Sequence, residues 1–163
     1  MRIEVWSDVA CPWCYVGKRN LDAALERFEH RDEVEVTWRS FQLAPDMPAD
    51  PGQTTAEMLA AKYGVSEDEA RAMNERVTAV AAAAGIEYHL DRARPSNTFD
   101  AHRLAHQAAA AGRGDEALER LFAAYFTEGR RLADPETLAA IGAELGLAPL
   151  EPGAYADEVR ADV

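Results

Sequence analysis

The 163-residue chain has only two cysteines, no apolar run long enough to cross a bilayer, and a shortage of cations. Seventeen Lys and Arg stand against 29 Asp and Glu, a net charge of −12. Each shortage excludes something. Two thiols cannot build the disulfide framework of a small secreted domain. Cys11 and Cys14 stand three positions apart, so a reactive or metal-binding pair is the better reading. The longest uncharged stretch of the alanine-rich middle, Val77 to Ile86, falls well short of the ~18 residues a membrane helix needs. The acidic field repels phosphate backbones and anionic membranes, so neither nucleic acid nor membrane is an expected partner. The opening residues carry Arg2, Glu4 and Asp8 and lack the apolar core of a signal peptide, which makes the cytoplasm the expected compartment.

The hydrophobic pattern divides the chain into unequal parts. Arg2 to Ser7 alternates charged and apolar residues around Ile3, Val5 and Trp6 and predicts a strand running into Asp8-Val-Ala-Cys11-Pro12-Trp13-Cys14. From Pro12 the period becomes helical, with Cys14, Leu21, Leu25 and Phe28 on one face and Lys18, Arg19, Glu26 and Arg27 elsewhere. Proline suits a first helical turn because its missing N–H leaves nothing unpaired there. A second strand is expected from Glu33 to Leu43, followed by a linker marked by Pro45, Pro48, Pro51 and Gly52.

The remainder reads as helices. Thr54 with Glu57 and Ser66 with Glu69 fit capping boxes. The second opens a helix with the face Ala70, Met73, Val77, Val80 and Ala84, its first turn carrying the acidic run Glu67-Asp68-Glu69. Ile86 to Pro95 is an irregular connection, and Ser96 or Asn97 caps the helix bearing Phe99, His102 and His106. Leu118, Leu121, Phe122, Tyr125 and Phe126 form a packing stripe on the next helix. Asp134-Pro135 starts another, and a short last helix holds Tyr155 and Val159. The expected division is residues 1–48 as a β-α-β unit and 49–163 as a helical domain. Two parallel strands are a poor sheet by themselves, so further strands are expected from another chain or from polypeptide beyond Val163.

The chemistry concentrates at Cys11-Pro12-Trp13-Cys14, where a strand ends and a helix begins. Free N–H groups and the macrodipole at a helix start favour an anion, so Cys11 is expected to be the thiolate and nucleophile. Lowering an ordinary thiol of pKa ~8.5 by two units is worth ~2.7 kcal/mol and makes the thiolate the dominant form at neutral pH. Cys14, one turn further in, is expected to keep a higher pKa and act as the resolving thiol. A structural zinc half-site and an inert pair are the other readings of such a motif. Asp8 is expected to shape the turn, Trp6 to lie in the core, and Trp13 to be exposed as part of an apolar substrate surface.

The segment Ser7-Asp-Val-Ala-Cys-Pro-Trp-Cys-Tyr-Val-Gly17 resembles the active-site segment of DsbA-like thioredoxin-superfamily oxidoreductases, in particular the FrnE-like branch. Phe41-Gln-Leu-Ala-Pro-Asp46, Ser96 to His106 and Ala124-Tyr-Phe-Thr-Glu-Gly129 extend the resemblance along essentially the whole chain. It implies an α/β thioredoxin-like fold with a large inserted α-helical domain. The fold's C-terminal β-β-α part is expected to lie outside this chain. It further implies thiol–disulfide oxidoreductase activity on protein or small-thiol disulfides. No cofactor is expected, because the Cys11–Cys14 pair carries two electrons itself. Pro12, Trp13, Asn97 and His102 are expected to line the site, although a helix cap for Asn97 and a solvated helix position for His102 are the plainer alternatives. Relatives place a cis-proline loop beside the reactive cysteine, and none of the eight prolines here stands in that context. A truncated chain, or a homo-oligomer that completes the sheet, is the corresponding expectation.

Two rival functions differ in class. A related branch isomerises small aromatic acids with glutathione, but it has serine where Cys11 stands. A zinc-binding or interaction module could use Cys11, Cys14, His102 and His106, the last two spaced as zinc ligands on one helix. The sequence separation far exceeds that of a compact finger, and no metal site is expected.

Overall fold

A computed structural model describes all 163 residues. Strand β1 (Arg2–Ser7) leads through a tight turn into helix α1 (Pro12–Glu26). A single 3-10 turn at Arg31–Glu33 then precedes β2 (Glu35–Ser40). The strands pair in parallel, from Arg2 opposite Glu35 to Ser7 opposite Ser40. The second strand is thus shorter than its apolar pattern suggested: Phe41 and Leu43 leave the ladder and are exposed. Side chains alternate across a strand, so Ile3, Val5 and Ser7 share one face with Val36, Trp38 and Ser40. The opposite face carries Glu4 and Trp6. Trp6 is therefore not core, as the sequence suggested, but 52% exposed. Its indole N–H donates to the carbonyl of Asp162 at 2.8 Å, while Glu4 on the same face accepts from Arg39.

Six helices follow: α2 (Thr55–Tyr63), α3 (Glu67–Ala83), α4 (Phe99–Ala110), α5 (Gly114–Phe126), α6 (Pro135–Glu144) and α7 (Ala156–Asp162). No helix is long and apolar enough to cross a membrane. Both expected capping boxes form, with Thr54 and Ser66 each accepting from the N–H three residues on and the Glu at that position bonding back. Asp134 caps α6 by accepting from Thr137 N–H at 3.1 Å. Tyr155 stands outside α7 as its N-cap, with φ of 60°. The end of α7 docks on the sheet: Asp162 accepts from Ser40 N–H at 2.8 Å and pairs with Arg39 and His106.

One hydrophobic cluster joins the β-α-β unit to the helices. It contains Val9, Tyr15 and Val16 from the first part and Leu104, Leu121, Phe122 and Phe126 from the second. Tyr15 stacks on Phe122 at 4.7 Å between ring centroids, and Tyr88 on Phe126 at 4.6 Å. Beside this stack Lys18 is only 2% exposed in its side chain, its ammonium held by Asp22 and Asp115. Burying a lysine requires such pairing, and here it clamps α1 onto α5. The face of α3 divides: Ala70 and Val77 are buried in the core, whereas Val80 is exposed.

The irregular connection 86–95 is fastened to the C-terminus of α5. His89 N–H donates to Phe126 carbonyl at 2.7 Å, and the Thr127 hydroxyl to Glu87 carbonyl at 2.7 Å. Gly129 closes the clamp. At φ +70° it sits where an added Cβ would lie 2.7 Å from the Arg92 carbonyl oxygen. Gly129→Ala is expected to lose ~2–4 kcal/mol through left-handed strain plus backbone overlap. In thermal denaturation the midpoint should fall by at least ~5 °C.

Candidate active site

The turn between β1 and α1 is built by Asp8. Its carboxylate accepts from Ala10 N–H at 3.2 Å and from Leu43 N–H at 2.7 Å, joining the start of α1 to the segment after β2. Cys11 N–H in turn donates to the Asp8 carbonyl at 3.0 Å. Cys11 is the N-cap of α1, with extended backbone and Pro12 beginning the helix, as the sequence predicted. From the far side Tyr88 donates its hydroxyl to the Pro12 carbonyl at 2.7 Å. Nothing in the local sequence signals that contact, because it depends on the clamp that places 86–95 against α5.

Cys11 and Cys14 are both half-buried free thiols. Cys11 stands at the start of α1 and Cys14 one turn further in. The buried Ser7 hydroxyl has no hydrogen-bond partner. The neighbouring Cys11 thiol is the main cause that brings the Cys14 thiol down to about 6, against burial and the Asp8 carboxylate. The neighbouring Cys14 and burial push Cys11 up. The two sulfurs titrate as one unit, so the lowered value belongs to the pair and not to either sulfur alone.

Access separates the two sulfurs. Cys11 lines a cleft of about 640 Å³, bounded by the turn, the segment 43–47, α2 and α3, whereas Cys14 is not among its lining residues and packs against the core. Pro12 and Trp13 line it with Cys11, Trp13 being 58% exposed. Leu43, Tyr63 and Val80 contribute apolar rim, and Met47, Met58 and Met73 line it as three of the chain's four methionines. Met73 and Val80, read from periodicity as a core face, thus serve the cleft.

Asn97 and His102 do not line this cleft. Asn97 accepts from Phe99 N–H at 2.8 Å and donates to the carbonyls of Pro45 and Met47 at 2.9 Å each, so it pins the proline-rich linker to the start of α4. His102 is not a solvated helix residue: it is 2% exposed, with Nε2 3.4 Å from an oxygen of Asp8. Burial opposes ionisation of Asp8, but His102 and the N–H groups of Leu43 and Ala10 hold its carboxyl below the usual range. His106 faces Asp162 and Ser40 instead. The two histidines thus serve different partners, and no group of three or more His, Cys, Asp or Glu is arranged to hold a metal ion.

A strand-to-helix turn thus presents two cysteines, one of them open to a cleft bounded by helices. The model of the DSBA-like thioredoxin domain matches residues 2–162. The chain belongs to the DSBA-like thioredoxin domain family. The DsbA-like chain is 44% identical to the probable DsbA oxidoreductase of Streptomyces coelicolor, with a TM-score of 0.92, covering 99% of this chain and 73% of that one. It is 29% identical over 169 residues to the uncharacterized protein YwbO of Bacillus subtilis, covering 98% of this chain and 76% of its relative. The cytosolic disulfide reductase DsbM of Pseudomonas aeruginosa shares the fold at 22% identity and a TM-score of 0.58, over 99% of this chain and 70% of that one. The mixed α/β architecture is accordingly thioredoxin-like, dominated by helices around a small two-stranded sheet.

Proposed function

We propose that this DsbA-like chain is a thiol–disulfide oxidoreductase in which Cys11 is the attacking sulfur and Cys14 the resolving one, with no cofactor beyond the pair. The observation that carries the reading is the difference in access between two neighbouring sulfurs. Only Cys11 opens on the cleft, and the coupling of the two thiols keeps a thiolate available below the ordinary thiol range. A partner disulfide entering the cleft meets Cys11, and proton transfer to Cys14 leaves Cys11 as the nucleophile. Trp13 offers an exposed apolar surface to the incoming chain.

The direct test is reduction of a protein disulfide such as insulin, with a small dithiol as the electron source. Wild type is expected to accelerate it, and Cys11→Ser to abolish the acceleration. Activity that survives Cys11→Ser would eliminate the reading. Alkylation of the reduced protein checks the electrostatics. Its rate should rise between about pH 5 and 7 and then level off, following the value of about 6 held by the pair, where an unperturbed thiol would still be rising at pH ~8.5.

A further inference from the structure

The cleft beside Cys11 is charged against the sign of the rest of the molecule. On a chain of net charge −12, Lys62 of α2 and Arg76 of α3 line its wall. Neither is among the residues that form ion pairs, whereas Arg71, also on α3, is held by Glu67 and Asp68. Lys62 contacts only an aromatic face, that of Tyr63 at 5.8 Å. The one carboxylate among the lining residues, Asp8, is buried and occupied by two backbone N–H groups and His102. Two exposed, unneutralised cations therefore face the entrance to the reactive sulfur. The apolar part of the same wall contains Met47, Met58 and Met73, side chains whose flexible thioethers adapt to varied apolar surfaces.

We infer that the cleft selects disulfide-bonded polypeptide segments carrying acidic residues next to the cysteine, with Lys62 and Arg76 as the specificity-determining residues. This rests on the reading of Cys11 and Cys14 as a thiol–disulfide centre. The methionines favour a peptide as occupant because they accept side chains of different shape, while the cations set the sign of the flanking charge. In the reaction the Cys11 thiolate attacks one peptide sulfur, the peptide S–S bond breaks, and the departing sulfur takes a proton. Cys14 then loses its proton and attacks Cys11, forming the Cys11–Cys14 bond and releasing the second peptide thiol. The peptide gains two electrons and the protein loses two.

The test is single-turnover oxidation of the reduced protein by two synthetic peptide disulfides of equal length. One has Glu and the other Lys on both sides of the cysteine. The readout is the ratio of the two rates, so a general change in activity cancels. For wild type at low salt the acidic peptide should react about three- to tenfold faster, and added salt should shrink the ratio. In the double variant Lys62→Glu, Arg76→Glu the ratio should fall below one. A wild-type ratio of one or less, or a ratio unchanged by the double substitution, would overturn the selectivity while leaving the redox reading intact. Failure of wild type to react with either peptide would overturn both.

Discussion

Cys14→Ser is expected to convert the protein into a covalent trap for its own substrates. Once Cys11 has attacked a disulfide, the partner is held through one S–S bond, and release depends on a second thiol reaching the Cys11 sulfur. In the wild type that thiol stands one turn away at the start of the same helix, and a well-oriented intramolecular group acts at an effective concentration of about 10⁵ M or more. A serine hydroxyl cannot replace it. Release should slow by at least about a thousandfold with millimolar external thiol as the only resolving agent. Intact mass under acid quench should show a one-to-one adduct that disappears on adding a dithiol. Cys11→Ser should give no adduct. An adduct on Cys11→Ser at the rate seen for Cys14→Ser would instead assign the attack to Cys14.

Removing the Asp8 carboxylate should produce the largest loss of stability of any single change near the site. Asp8→Ala would leave the N–H groups of Ala10 and Leu43 without their acceptor and remove the carboxylate that faces the buried His102. Each buried donor left unpaired costs about 1–3 kcal/mol, measurable by denaturant unfolding. The folded-state pKa of Asp8 lies below its ordinary value. Its contribution is therefore complete above the unfolded carboxyl value of ~3.9 and is lost as pH falls through the lower folded value. The wild type should show this loss on acidification and Asp8→Ala should not. Asp8→Asn gives the electrostatic half of the same argument. The carboxylate opposes the thiolate on Cys14, so its neutral isostere should lower the thiol titration further while costing less stability. An unchanged thiol titration in Asp8→Asn would show that the carboxylate does not act on the sulfur pair.

Local structure was legible wherever a residue's own neighbours determine it. The capping boxes at Thr54 and Ser66, the cap at Asp134, and the start of α1 at Pro12 all depend on contacts within one turn. Trp6 was misplaced although the signal was present: it shares strand parity with Glu4, not with Ile3 and Val5, so period two alone puts it on the polar face. His102 could not be read in this way. A helix position gives the direction of a side chain but not what faces it, and here the facing group is Asp8, far away in the chain. Lys18 shows the same limit: its place on α1 gives no hint that Asp115 of α5 comes to meet it.

The order of elements and the position of the CxxC motif at a helix start followed from the amino-acid sequence, because each rests on local periodicity or on a contiguous motif, and the resemblance to a DsbA-like family rested on segments that could be matched along the chain. Tertiary packing decided which sulfur faces the cleft, that Tyr88 and Asp8 brace the turn from two sides, and that Lys62 and Arg76 come to share one wall. Those outcomes depend on distances between segments far apart in the chain. Burial and electrostatics act through such distances, and only the folded chain sets them.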